Sequence, residues 1–420
     1  MNLPSQSLPV LQPGHGKARG SSPFGSAMPS ILAALAYAGA LVVWLVAGDA
    51  LPGGRTFAVH LFTLGVVTNL VLTFSEHFAR AVTRTPGERA WWWPILTNLG
   101  IVGMLVGLPS RWLPALAGGA TLLIVVVFMA YLRLRQMRKA AVGARFAWIV
   151  RVYERAHGAF IHGAIFGALL GVGLLGGTWF GATRLAHLHA MVLGWGGLTL
   201  LATLVFFGPT MARTRIEPGA DERSARLLRH GATGLSVAVL LLFVAGMGGL
   251  WGDVLNVLAA GALGVFAVAA TLVCLPVARV VWDARSTAAR PLVLGVCVWL
   301  PVVVWADVVV VASTAWRWFD VVGVAALVGV LAQAILATLI YLAPMLRGRS
   351  TDAREVIRQR LEIGAWTRAV AMTAGVGLVA LGAARLVDHV PLLGAGWIVV
   401  TVTLASTLTV ALWPLPREVR

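Results

Sequence analysis

Two histidines spaced two residues apart, His187 and His189, open the apolar run AHLHAMVLGWGGLTLLATLVFFGPTM, and His60 opens the run HLFTLGVVTNLVLTF. An ionisable group in hydrocarbon is costly and is usually there for a use, so an imidazole in such a run reads as a metal ligand or a proton carrier. Positions i and i+2 of an α-helix point about 200° apart. His187 and His189 therefore cannot grip one metal from an undistorted helix, but they can serve two sites on opposite sides of it. In this reading His60 pairs with one of them, because a haem takes one imidazole on each axial face, from two helices. The plainer role for a single histidine at a helix end is a headgroup contact or a cap. Three at matched depth, two of them as His-x-His, favour ligation of haem or copper, with His60, His187 and His189 as the metal ligands. Gly65 follows His60, and Gly194, Gly196 and Gly197 follow His189. Glycines there let a macrocycle or a neighbouring helix come close.

A second, looser set lies at the other end of the same runs. His77 closes the run begun by His60, with Glu76 beside it and Arg80 near, and His157 and His162 start a later run. His77 and His162 are the candidate pair for a second cofactor. Glu76 either orients His77 or makes an ion pair with Arg80. Five positions apart on a helix, His157 and His162 diverge by about 140°, and His157, close to Arg151 and Arg155, reads as interfacial and solvated. Asp307, in WLPVVVWADVVVV, is the clearest acid within an apolar run. It is expected to point into the protein, toward the histidines, as a proton-relay or orienting carboxylate, or else as a structural hydrogen bond. His15, His230 and His389 fall in a tail and in loops.

The elements that must hold these residues follow from composition. The chain has 420 residues, 59% hydrophobic and 12% charged, against about 25% charged in soluble domains. Apolar runs of about 20 residues, the length that crosses a bilayer core, recur along it. The fold class is therefore all-α, a polytopic membrane protein. Twelve spans are expected near 29–48, 57–79, 92–109, 113–133, 157–179, 184–208, 232–250, 255–279, 291–313, 320–345, 365–384 and 390–413. Residues 1–27, rich in Pro, Gly and Ser, read as a disordered cytoplasmic tail, 28–415 as one transmembrane domain and 416–420 as a second tail. With both termini cytoplasmic, only Arg55, Arg111, Arg184, Arg317 and Arg385 of the 33 Lys and Arg lie outside. That asymmetry is the positive-inside signal, and a bacterial plasma membrane is the expected location. The net charge of +17 thus serves topology and anionic lipid. No basic stripe with interleaved aromatics appears, so nucleic acid is excluded as a partner. The expected partners are the lipid bilayer and a redox protein at the outer face. Cys274 and Cys297 read as small hydrophobes, and without a CxxCH run any haem is held non-covalently. The tryptophans gather at span ends as an interfacial belt.

A faint repeat runs through the chain. LVFFGPTMARTR (204–215) and LIYLAPMLRGRS (339–350) both place an aromatic, a proline and arginines at a span end, and the second span shares the layout of the sixth. This suggests an old repeat of helix pairs, with no histidine in the tenth span. The His-x-His run resembles the corresponding helix of haem–copper oxidase subunit I and its nitric-oxide-reductase relatives. HLFTLGVVTNLVLTF resembles the second-helix histidine segment of that superfamily and of NnrS-type membrane proteins. The matching motifs cover about 50 of the 420 residues. The resemblance implies a b-type haem, copper, or both, and a role in electron transfer or in nitric-oxide- or copper-linked respiration. It makes His60 the second-helix haem ligand, and it gives one histidine of the pair to a low-spin haem and the other to an active-site haem. The chain departs from the oxidases in having no His-His pair and no tyrosine four residues after a histidine. A binuclear oxygen- or nitric-oxide-reducing centre is therefore not expected. A proton-coupled secondary transporter, or a cofactor-free subunit that docks a redox partner, would share the span count and Asp307.

Overall fold

The computed structural model describes residues 25–47, 53–86, 90–141, 145–285, 287–348, 350–384 and 392–414. The tail 416–420, nearly all of the tail 1–27, Arg385, His15 and His389 lie outside the described residues. Among them every regular element is a helix. In chain order these are α1 (Met28–Ala47), α2 (Gly54–Thr83), α3 (Trp92–Ser110), α4 (Leu113–Ala140), α5 (Ala147–Gly171), α6 (Gly177–Met211) and α7 (Ala220–Met247). They continue as α8 (Gly249–Trp282), α9 (Arg290–Ala312), α10 (Trp316–Arg347), the short α11 (Thr351–Glu362), α12 (Ala365–Ala383) and α13 (Leu392–Leu412). Eleven of them are long and apolar enough to cross a membrane. The chain is an all-α polytopic membrane protein. Helices suit that setting because they satisfy every backbone N–H and C=O within one segment. Val43, Leu240, Leu258, Val298 and Val309 stand exposed, where lipid in place of water makes the exposure favourable. Basic connections gather at one end, called the basic end below.

Several helices start earlier than the sequence suggests, α7 at Ala220 among them, and two of these shifts move the candidate histidines. α5 begins ten residues before His157, because Ile149, Val150, Tyr153, Ala156 and Phe160 form one buried stripe at helical spacing. The charged side chains there find partners in place. Arg138 of α4 donates to Glu154 at 2.5 and 3.1 Å, and Arg155 donates to the Arg229 carbonyl at 2.6 Å. α6 begins at Gly177, so His187 lies ten residues inside it rather than at its mouth. The basic connection before α12 holds α11. The Ser350 side chain caps it by accepting from the Ala353 N–H at 3.1 Å, and the Arg358 guanidinium holds the Glu355 carboxyl below the usual carboxylate range.

The repeat is larger than helix pairs. Three four-helix units follow one another, α1–α4, α5–α8 and α9–α13 with α11 as an addition. In each unit the second helix packs on the first, and the last two long helices form an antiparallel hairpin. Each second helix contains a stretch with i→i−5 hydrogen bonding, a π-helix: Leu61–Thr68, His189–Gly197 and Ala325–Ala332. Long π stretches are rare and gather at functional sites. His60, His189 and Val324 hold the same register at the heads of these stretches. Five residues further on stand Gly65, Gly194 and Gly329, each against the first helix of its own unit. A Cβ at Gly65 would meet Tyr37 Cγ at 2.5 Å, at Gly194 the Ala159 Cβ at 2.7 Å, and at Gly329 Trp299 Cδ2 at 3.1 Å. α2 and α6 even end alike, on a left-handed arginine, Arg84 (φ 54°) and Arg213 (φ 56°). The following amides turn back, Thr85 to the Arg80 carbonyl at 3.1 Å and Thr214 to the Pro209 carbonyl at 2.8 Å.

The close contact of the first two helices in each unit is testable. Gly194→Ala should lower stability by about 1–3 kcal/mol, the usual cost of overpacking a filled interface. Gly261→Ala, where a Cβ meets open space, should leave it unchanged or raise it by up to about 1 kcal/mol. Thermal unfolding in detergent, followed by circular dichroism, measures both; equal effects would contradict the close approach.

Candidate functional site

His60 and His187 face each other between the first and second units. His60 sits one residue before the π stretch of α2, and its Nδ1 lies 2.7 Å from the Thr56 carbonyl oxygen. His187 leans on α5, with Nδ1 2.7 Å from the Gly163 carbonyl oxygen. A carbonyl oxygen only accepts, so each ring carries a proton on Nδ1 and, when neutral, presents a lone pair on Nε2. The absence of a side chain at Gly167 makes the fit on α5 possible, since a Cβ there would stand 2.8 Å from His187 Cε1. The two ring centroids are 6.4 Å apart and the planes are inclined by 16°. Among the described residues neither Nε2 has a hydrogen-bond partner. A metal shared by two Nε2 atoms needs two bonds of about 2.0 Å, and with roughly 1.1 Å from each nitrogen to its ring centre the centroids stand about 6.2 Å apart. The observed centroid separation is close to that figure.

His189 turns to the other side of α6. Its Nδ1 donates to the Leu185 carbonyl at 2.7 Å, and its Nε2 lies 2.9 Å from Oδ2 of Asp307 on α9. The two side chains are 2% and 4% exposed. Proton counting constrains this pair. With Nδ1 committed as a donor, the Nε2–Oδ2 bond needs one more proton between them. The pair is therefore imidazolium with carboxylate or imidazole with carboxylic acid, and in both forms it is neutral overall. Mutual attraction within the pair offsets part of the desolvation cost of burying the two groups. Among the described residues Oδ1 of Asp307 has no partner, and the Phe319 ring, 5.8 Å from that of His189, closes one side. For His189 to bind a metal through Nε2, Asp307 would have to give way.

The remaining candidates separate. Glu76 is held by Arg80 and Arg133, each at 2.9 Å, and it belongs to an ion-pair cluster at the basic end. His77, half-buried, meets Phe78 edge-on at 5.6 Å. His162 occupies an exposed position on α5. The buried histidine of that helix is His157, with none of its surface exposed, which corrects its reading as interfacial. The ten helical residues before it carry it inside. The signal was the stripe Ile149, Tyr153, Ala156, His157 and Phe160, which includes His157 on the apolar face. Among the described residues no group of three or more His, Cys, Asp or Glu is placed to hold a metal ion. Compared with known proteins, the chain matches no family model, and no curated protein is significantly similar to it.

The shared proton gives the second prediction. Asp307→Asn keeps a donor for His189 Nε2 and should fold normally, but its histidine will lack the second proton. Asp307→Leu strands a buried Nε2 and should cost about 1–3 kcal/mol. Nitrogen-15 spectra of histidine-labelled protein across pH, with thermal unfolding, distinguish these. A His189 signal indifferent to Asp307→Asn would remove the proton-sharing account.

Proposed function

We propose that this chain is a haem-binding integral membrane protein that passes electrons within the membrane, with His60 and His187 as the residues that would hold one non-covalent haem. The observation that carries the reading is the pair itself: two near-parallel imidazoles 6.4 Å apart, each tautomer fixed by a backbone carbonyl, with both Nε2 atoms left over. Haem is favoured over a bare copper ion by the donor count. A porphyrin brings four nitrogens of its own and asks only two of the protein, whereas copper(II) in its tetragonal geometry asks for more and no third donor is grouped with these two. Bound haem supplies a one-electron carrier. If His60 and His187 both held the haem, it would serve electron transfer rather than substrate binding, in keeping with the missing His-His and His-x-x-x-Tyr motifs. The π stretches of α2 and α6 pack mainly on the first helices of their own units.

The same reading completes the topology. α5 is the twelfth span, both termini are cytoplasmic, and the basic end faces the cytoplasm of a bacterial cell. The histidine pair then lies toward the outer face, where a redox protein can dock. The resemblance to haem–copper oxidase subunit I and NnrS-type proteins agrees with this arrangement. A second reading, a proton-coupled transporter, has one observation in its favour: the buried His189–Asp307 pair between α6 and α9.

An absorption spectrum of the purified protein decides. The expected result is a Soret band with about one haem per chain, the band being lost in His60→Ala and in His187→Ala and kept in His189→Ala. No band with haem supplied in excess would overturn the reading in favour of transport. Metal analysis showing copper without haem would replace the cofactor. Loss of the band only on His189→Ala would overturn the ligand assignment.

A further inference from the structure

His157 takes no part in the pair described above, and its surroundings are incomplete. Its ring is wholly buried and packs edge-on against Trp195 at 4.7 Å. Its Nδ1 donates to the Tyr153 carbonyl at 2.7 Å, so in the neutral ring Nε2 can only accept. Nε2 has no partner. A buried acceptor left dry costs about 1–3 kcal/mol, a large sum within a membrane interior. Beside the ring lies a small cavity between α2, α4 and α5, with about 10 Å3 for the centre of a water, whose polar lining is His157, Ser75, Glu76 and Arg133 and whose walls are Leu72 and Leu134. A water needs about that volume and two to four polar partners.

We propose that this cavity binds one water molecule, bridging His157 Nε2 to Ser75 and Glu76, and that this water opens the buried imidazole to proton exchange with the basic end of the bundle. The hydrogen-bond balance is specific. Nε2 and the Glu76 carboxylate both accept, so they cannot bond each other, and a water donates one proton to each. The water's lone pair takes the Ser75 hydroxyl proton, which would leave its long 3.5 Å contact with the Leu72 carbonyl. The Glu76 carboxylate joins this site to Arg80 and Arg133, whose side chains are 14% and 29% exposed. The route from the basic end to His157 is therefore a guanidinium-held carboxylate followed by one water. The two arginines outnumber the one carboxylate, so the local charge favours a neutral His157 that accepts rather than a stored imidazolium. None of this depends on the haem assignment.

The test uses the full chain in lipid bilayers with nitrogen-15-labelled histidine, and His157→Phe identifies the resonances. The expected result is an Nδ1–H tautomer whose Nε2 has the shift of a hydrogen-bonded acceptor and a cross-peak to water protons. Ala130 also lines the cavity, so Ala130→Leu should fill it and abolish the water cross-peak while the His60 and His187 signals stay in place. Ser75→Ala should weaken the cross-peak. An Nε2 with the shift of a free lone pair and no water contact in the folded protein would overturn the proposal, as would a cross-peak that survives Ala130→Leu.

Discussion

A hydrogen bond from imidazole Nδ1 to a backbone carbonyl recurs at His60, His157, His187 and His189, always at 2.7 Å. The acceptor cannot also donate, so the bond decides the tautomer, and the tautomer decides what each Nε2 is for. Three of these bonds run to the residue four back on the same helix. The fourth, from His187, crosses to Gly163 on α5 and ties two helices together. A ligand whose other nitrogen is held in this way is oriented before any metal arrives, and such outer bonds commonly set both geometry and basicity in metal sites.

The three-unit architecture explains how one helix comes to carry two chemically different histidines. α6 is the second helix of the middle unit, so its two flanks meet different neighbours. The i, i+2 spacing turns His187 toward the first unit, where His60 waits, and His189 toward the third, where Asp307 waits. The third unit keeps the π stretch and its glycine but has Val324 in the place of His60 and His189. Its own junction with the first unit shows an exposed pair, Arg55 with Asp320 at 2.8 Å, and such exposed pairs contribute about 0–1 kcal/mol. Repetition supplied the scaffold and the chemistry diverged on it.

Much of this was legible in the sequence, for physical reasons. Hydropathy and arginine placement report on the bilayer directly, so the membrane class and the long apolar helices follow from composition and spacing. Two-residue spacing on a helix has one geometric meaning, so the divergence of His187 and His189 could be read from the text. What could not be read depends on partners distant in sequence. Glu154 looked like a loop residue because Arg138, its counterion, lies on another helix. His157 looked solvated because the stripe that buries it was cut by charges. The π stretches leave no mark in hydrophobic periodicity, and the four-helix repeat emerges only when Gly65, Gly194 and Gly329 are seen against their neighbours.

The four most buried carboxylates show how the two ends differ in kind. Glu76, Glu154, Asp221 and Asp307 are all below 9% exposed. The first three, at the basic end, are matched by arginine: Arg133 and Arg80, Arg138, and Arg145 at 2.6 Å. A guanidinium never gives up its proton in a protein, so those pairs have a fixed charge and serve to hold helices together. Asp307 is matched instead by His189, whose imidazole exchanges a proton in the physiological range when its surroundings allow. Of the four, only this pair can change its proton count without leaving a permanent cation stranded in hydrocarbon. It stands two residues from His187 on the same helix. The two histidines of this helix therefore differ in kind: His189 is matched by an acid, and His187 by a backbone carbonyl.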